Sequence, residues 1–193
     1  TWNLSANVSY NKNKLLELYN GVEEYVNSTT GLKYVVGHSV REYFMNRYAG
    51  VNPANGDALW YTADGELTTE FREEDKVMTG KSFDSPWVGG FGTSLMWKGL
   101  SLSAQFSWMA KRYVMNNDRF FEESNGLYSA YNQSKRLLYD RWKKPGDITD
   151  IPRYGVTAQL DDRFLENSSF LRLKNLTLAY AFPQSLLKKT NFF

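Results

Sequence analysis

Cysteine is absent from this chain of 193 residues, so no disulfide framework, thiolate nucleophile or cysteine-ligated metal is possible. The only histidine, His38, has no second imidazole with which to build an HExxH-like zinc site, and it reads as a loop residue in contact with water. An excess of one charge is also missing. The chain carries 23 Lys and Arg against 21 Asp and Glu, a formal +2, which excludes the basic surface that nucleic-acid binding requires. No run approaches the roughly 18 apolar residues of a spanning helix, and the mean hydropathy is −0.53. That excludes a helical membrane protein but leaves a membrane β-barrel open, because barrel strands alternate apolar and polar residues and average out as hydrophilic. The start, Thr1-Trp2-Asn3-Leu4, lacks the basic and apolar regions of a signal peptide, so for an exported protein a leader is expected upstream.

What the chain does have is aromatic residues, at 16%, which suits membrane-interface belts or sugar-stacking surfaces. It also has alternation of period two. Trp2, Leu4, Ala6, Val8 and Tyr10 are interleaved with Asn3, Ser5, Asn7 and Ser9. Phe91 to Trp97 and Leu100 to Trp108 flank Lys98-Gly99, the spacing of a hairpin with a two-residue turn. Such a turn fixes the register: Trp97 opposite Leu100, Leu95 opposite Leu102, Thr93 opposite Ala104, and Phe91 opposite Phe106. The opposite face, with Ser94, Ser101, Ser103 and Gln105, is small and polar.

A further strand is predicted from Phe170 to Phe182, closed by Pro183. Strict alternation there puts Arg172 and Lys174 on one face with Leu176, Leu178, Tyr180 and Phe182. Near the membrane interface, cations on a lipid face meet headgroup phosphates, so Arg172 and Lys174 are candidate lipid-headgroup contacts. Pro183 to Thr190 is a short connection, and Asn191-Phe192-Phe193 opens another strand. Residues 109–169 form a long insertion, in which Leu127, Tyr131, Leu138 and Trp142 fall at helical spacing up to Pro145-Gly146. Leu32 to Ala49 reads as one strand, Pro53 to Asp57 as a turn, and Glu70 to Lys76 as a charged loop.

Enzymatic readings are weak. Adjacent Glu122 and Glu123 cannot flank a glycosidic bond from two sides and read as solvated surface. Asp147, Asp150, Asp161 and Asp162 lack EF-hand spacing, so no metal site is assigned.

Three segments resemble a known family. Arg141-Trp142-Lys143-Lys144-Pro145-Gly146-Asp147-Ile148-Thr149-Asp150-Ile151-Pro152-Arg153-Tyr154, Ser169 to Tyr180, and Ala49 to Asp57 are similar, in order and spacing, to the SusC/RagA-like TonB-dependent outer-membrane transporters of Bacteroidetes. The resemblance implies an all-β chain of antiparallel transmembrane β-barrel strands with long extracellular loops. Residues 1–193 would be the C-terminal part of a 22-stranded, plugged barrel domain, with the plug and the final strands outside the chain. It further implies import of oligosaccharide or peptide across the cell outer membrane, a SusD-like surface lipoprotein as lid, TonB acting through the plug, and neither catalysis nor a cofactor. Trp142, Asp147, Asp150, Arg153 and Tyr154 are the candidate substrate or partner loop. The rival from another class is a soluble all-β carbohydrate-binding module, which needs Leu95, Trp97, Leu102 and Phe106 buried against a second sheet.

Overall fold

In a computed structural model, residues 1–27 and 32–184 are described; the expected strand at Asn191 and most of the connection after Pro183 lie outside them. In chain order the strands are β1 (Trp2–Tyr10), β2 (Glu24–Val26), β3 (Lys33–Val35), β4 (Glu42–Met45), β5 (Arg47–Val51), β6 (Ala58–Tyr61), β7 (Leu67–Thr68), β8 (Val77–Ser82), β9 (Trp87–Trp97), β10 (Leu100–Ala110), β11 (Tyr113–Met115), β12 (Leu165–Asn167) and β13 (Phe170–Tyr180). Two short helices, α1 (Asn117–Glu122) and α2 (Arg136–Tyr139), complete the regular structure. The chain divides into two compact units: a sheet unit of residues 1–12, 85–112 and 168 onward, and a loop unit of residues 13–84 and 113–167.

The sheet unit is one antiparallel sheet in the order β1-β9-β10-β13. Its central hairpin has the expected register, with Trp97 opposite Leu100, Leu95 opposite Leu102, Thr93 opposite Ala104 and Phe91 opposite Phe106. The turn does this because Lys98 and Gly99 both take positive φ, +46° and +86°, the mirror-image geometry whose twist matches that of the strands. Phe91 and Phe106 stack with ring centres 4.7 Å apart.

One face of the sheet is apolar across all four strands. Trp2, Trp97 and Tyr180 stand at its turn end, and Tyr10, Trp87 and Trp108 at its loop end. Leu4, Val8, Leu95, Leu102, Leu176 and Leu178 fill the middle. The one polar ring atom exposed in this band at the first strand is satisfied, since Trp2 Nε1 donates to Thr93 Oγ1 at 2.8 Å. Eleven-residue strands such as β9 and β10 are about 33 Å long at roughly 3.3 Å per residue, and a tilt of about 40° reduces their height to the ~25 Å of a bilayer-facing band. Trp97 is 63% exposed, Leu95 45% and Leu102 40%. The buried environment required by a soluble sandwich is therefore not there.

The opposite face carries Asn3, Ser5, Asn7, Gly92, Ser94, Ser101, Ser103, Gln105, Asn175 and Thr177, with Val88, Met96, Met109, Phe170 and Ala179 as apolar exceptions. Charge is partitioned by unit in a way that net charge conceals. Residues 1–12, 85–112 and 168–193 contain no Asp or Glu, so all 21 acidic residues belong to the loop unit.

Strict alternation fails at one place in β13. Asn175 is opposite Gln105, but Phe106 is opposite Leu173, which leaves Lys174 as the extra residue of a β-bulge. The bulge reverses the phase of everything before it. Leu171 and Leu173 join the apolar face, and Arg172, opposite Ser107, stands on the polar face rather than with Leu176 and Leu178. The strand ends at Tyr180, short of Phe182.

The loop unit is built from short ladders: β2 with β3, β4 with β8, β5-β6-β7, and β11 with β12. Its buried apolar residues are Met45, Ala58, Trp60, Leu137, Ile151, Ala158, Phe164 and Leu165. The single strand expected over Leu32 to Ala49 is instead β3, β4 and the start of β5. They are separated by a turn in which Gly37 takes φ +93°, and each pairs with a different neighbour. The helix expected through Leu127, Tyr131, Leu138 and Trp142 is reduced to α2. Asn125 and Gly126 both take positive φ, and Gln133 Nε2 donates to the carbonyls of Tyr128 and Tyr131, competing with a helical ladder there.

The hairpin yields a direct test. A Cβ at Gly99 would stand 2.8 Å from the Ala181 carbonyl oxygen, at a φ that L-residues avoid. Gly99→Val in the full-length protein is expected to cost about 1–3 kcal/mol and to lower the temperature at which its heat-modifiable gel mobility is lost. An unchanged temperature would contradict this turn geometry.

Candidate functional site

The first and third family-like segments, almost 90 residues apart, are folded onto each other in the loop unit. The turn Pro53 to Asp57 docks on the 141–154 loop: Gly146 N donates to Pro53 O and Arg153 N to Gly56 O, both at 2.8 Å. Trp142 Nε1 donates to Pro53 O at 3.2 Å, and Arg153 Nε to Asp57 Oδ1 at 2.9 Å. The indole of Trp142 lies so close to Gly56 that a Cβ there would collide with its Cε3. Gly56, with φ +78°, is thus required both by its turn and by its neighbour.

Asp147 closes the loop tip. Its Oδ2 accepts from the backbone N–H groups of Lys143 and Lys144, both at 3.0 Å, and these bonds hold its carboxyl below the usual range. Asp150 is held by two arginines. Arg136 Nη2 lies 2.6 Å and 2.8 Å from its two oxygens, and Arg119 Nη2 lies 3.2 Å away. Partial burial acts to raise the Asp150 pKa, but the Arg136 hydrogen bonds and charge, with Arg119 behind them, leave it below the ordinary value.

The same guanidiniums clasp Glu123, with Arg136 Nη1 at 2.7 Å and Arg119 Nε at 3.0 Å. Glu123 is 7% exposed, a correction to the solvated surface expected of it, while Glu122 is exposed as expected. The network ties α1, α2 and the 141–154 loop together. Removing one member would strand a charge that its partners have desolvated. Arg119 and Glu123 are four apart on a helix, and that spacing is the one sign of the network visible in sequence.

Of the five candidate loop residues, then, Trp142, Asp147, Asp150 and Arg153 are engaged within the protein. Tyr154 is 72% exposed, with the Arg141 guanidinium 5.2 Å from its ring centre. What the loop presents outward is different: Lys143, Lys144 and Ile148 stand with Tyr139 around an open cleft of about 770 Å³. Arg172 and Lys174, the other candidates, belong to the sheet unit, and the face expected for Arg172 is corrected by the bulge.

The remaining acidic candidates are also engaged. Asp162 accepts from Tyr48 N and Lys81 Nζ. Asp161 is fully buried; Trp60 Nε1 donates to its Oδ2 at 2.9 Å, and Arg163 Nε lies 3.2 Å from its Oδ1. His38, expected to meet only water, has Nδ1 2.9 Å from Glu42 Oε2. Among the described residues no group of three or more acidic or histidine side chains is placed to hold a metal.

With this geometry, comparison with known proteins becomes informative. No protein-family model matches the chain. TonB-dependent receptor P3 of Formosa agariphila is 26% identical over 210 residues, covering 98% of this chain and 20% of that protein. TonB-dependent receptor SusC of Bacteroides thetaiotaomicron is 26% identical, covering 100% and 19%. The structure of the RagAB peptide transporter superposes with a TM-score of 0.84 at 37% identity, over 96% of this chain and 21% of that one.

Fold and likeness together define the class: these are strands and loops of a TonB-dependent outer-membrane β-barrel protein. Within that class the chain is similar to SusC and to the RagAB transporter, and it spans about a fifth of the length of the relatives it matches.

The loop unit carries a testable proton linkage at Asp161. Burial pushes its carboxyl up to about 6 from an ordinary 3.8, against the opposing pull of Arg163 and Trp60. A folded pKa above the unfolded one means that the ionised form is penalised by folding. The penalty is present above pH 6 and is relieved as pH falls from 6 toward 3.8. Protection of the β6 amides from hydrogen exchange, corrected for intrinsic rates, is expected to be greater at pH 5 than at pH 7.5 by about 1–2 kcal/mol, and Asp161→Asn should remove the difference. Equal protection at both pH values would show that Asp161 is not the titrating group.

Proposed function

We propose that this chain is a sector of the wall and outer loops of a nutrient importer in the cell outer membrane. The observation that carries the proposal is the four-stranded sheet, with an exposed apolar face belted by aromatics at both ends and a small polar face behind it. An apolar face of this extent is stable against lipid, and a polar face of short side chains suits a wetted lumen. Neither β1 nor β13 has a strand on its far side among the described residues. In lipid such edges must be paired, so the sheet needs further strands of a closed barrel, 22 on the family reading.

The cargo on this reading is an oligosaccharide or a peptide, held under a SusD-like lipoprotein at the loop unit and drawn inward through a plug that TonB pulls. RagAB, at 37% identity, is described as a peptide transporter, and the receptor relatives carry the TonB-dependent name. Exposed Lys143, Lys144, Ile148, Tyr139 and Tyr154 offer the lid or cargo a mixed basic and apolar surface. At the loop end of the sheet, Lys174 is the cation we assign to the phosphates of lipopolysaccharide.

The test uses the full-length protein in its own cells. It should fractionate with the outer membrane, require detergent for extraction, and support growth on an oligopeptide mixture or an oligosaccharide only while TonB is functional. Recovery in the soluble fraction without detergent, or uptake indifferent to loss of TonB, would overturn the proposal.

A further inference from the structure

The sheet unit contains no Asp or Glu. The bulge at Lys174 sets one of its cations, Arg172, on the polar face. Its guanidinium carbon lies 4.7 Å from the centre of the Phe170 ring. Phe170 is paired with Met109, and Arg112 Nη1 lies 3.9 Å from Met109 Sδ. The loop end of the polar face therefore holds, in one corner, a guanidinium over an aromatic ring, with a thioether on the residue paired to it. Opposite Arg172, Ser107 Oγ is buried and makes no hydrogen bond among the described residues. Every other paired position on this face is uncharged. A bulge-free strand would have put Arg172 beside Leu176; the bulge gives up one ladder residue and re-aims the arginine.

On the reading above, in which this face lines the lumen, we infer that Arg172 binds the carboxylate of an entering peptide. A guanidinium presents two parallel N–H donors that match the two oxygens of a carboxylate. Any linear peptide with a free C-terminus carries one such carboxylate whatever its sequence, and Phe170 and Met109 supply an apolar floor for its last side chain. The site thus selects for a chain end rather than for a particular residue, as an importer of mixed peptides requires.

The experiment takes the full-length transporter in detergent, as isolated from membranes, with two probes: a fluorescent decapeptide of uncharged residues ending in a free carboxylate, and the same peptide ending in an amide. Amidation of the probe and Arg172→Gln are each expected to weaken binding about tenfold. Combined, they should weaken it no further, because both remove one interaction. Arg172→Lys should retain part of the affinity, and it carries the same cycle with a smaller effect should R172Q lose its heat-shifted gel mobility. Additive losses, or an R172Q protein that binds both probes as the parent does, would overturn the inference; Arg172 would then be paired with an acid of the protein itself. If R172Q weakens an oligogalacturonate and leaves both peptides untouched, the peptide assignment falls. Each of these failures would leave TonB-dependent import standing, since import is read by uptake and this site by binding.

Discussion

A strand that crosses lipid has no water to complete its hydrogen bonds, so every backbone N–H and C=O in it must be met sideways by a neighbouring strand. The rest of the sheet unit follows from that. Pairing on both sides forces the side chains to the two faces in strict alternation, and lipid then dictates what one face holds. Leucines and valines occupy the middle of the apolar face, and Trp2, Trp97, Tyr180, Tyr10, Trp87 and Trp108 occupy its ends. Charge obeys the same constraint. The sheet unit has shed acidic residues entirely, and the cation at its tight turn, Lys98, lies 5.2 Å from the Trp97 ring centre, at the level of the belt.

The loop unit solves the opposite problem. It holds all the acidic residues and buries few large apolar ones, so it is organised by buried polar contacts. Glu123 and Asp150 between Arg119 and Arg136, and Asp161 between Trp60 and Arg163, fix short helices and single turns that would not persist alone. These groups convert a long connection into a shaped surface. Presentation of Ile148 and the two lysines depends on it, because Asp147 and the dock of Trp142 on Gly56 hold their loop from beneath.

How much of this could be read from the sequence depended on what fixes each element. The hairpin at Lys98-Gly99 was legible to the residue, because a two-residue turn admits one register and both strands repeat it. β1 was legible for a similar reason: nine alternating residues run without a break. Arg172 was not, because a bulge changes phase by one residue and leaves no mark on composition. The loop unit was largely illegible. Its ladders are two to six residues long, too short for periodicity, and its partners lie up to about a hundred positions apart, as Tyr48 with Asp150 and Trp60 with Asp161 do. The family-like segment 141–154 was recognised as a unit, but four of its conspicuous residues, Trp142, Asp147, Asp150 and Arg153, proved to be engaged in holding the loop. Side chains that hold a loop in place and side chains that the loop displays look alike until the fold is known.

These 193 residues contain no cysteine, and with any cysteine elsewhere in the full-length protein replaced by serine, the two-faced strand can be scanned one residue at a time. Single cysteines from Leu100 to Met109 along β10 of the full-length protein, spin-labelled in lipid bilayers, would each report collision with lipid-soluble oxygen and with a water-soluble nickel chelate. Labels at Leu102, Ala104 and Phe106 should favour oxygen, and labels at Ser101, Ser103 and Gln105 the chelate or a protected environment, with a period of two through the strand. Uniform accessibility along β10, or low oxygen contact at Leu102 and Phe106 alike, would contradict a lipid-facing sheet.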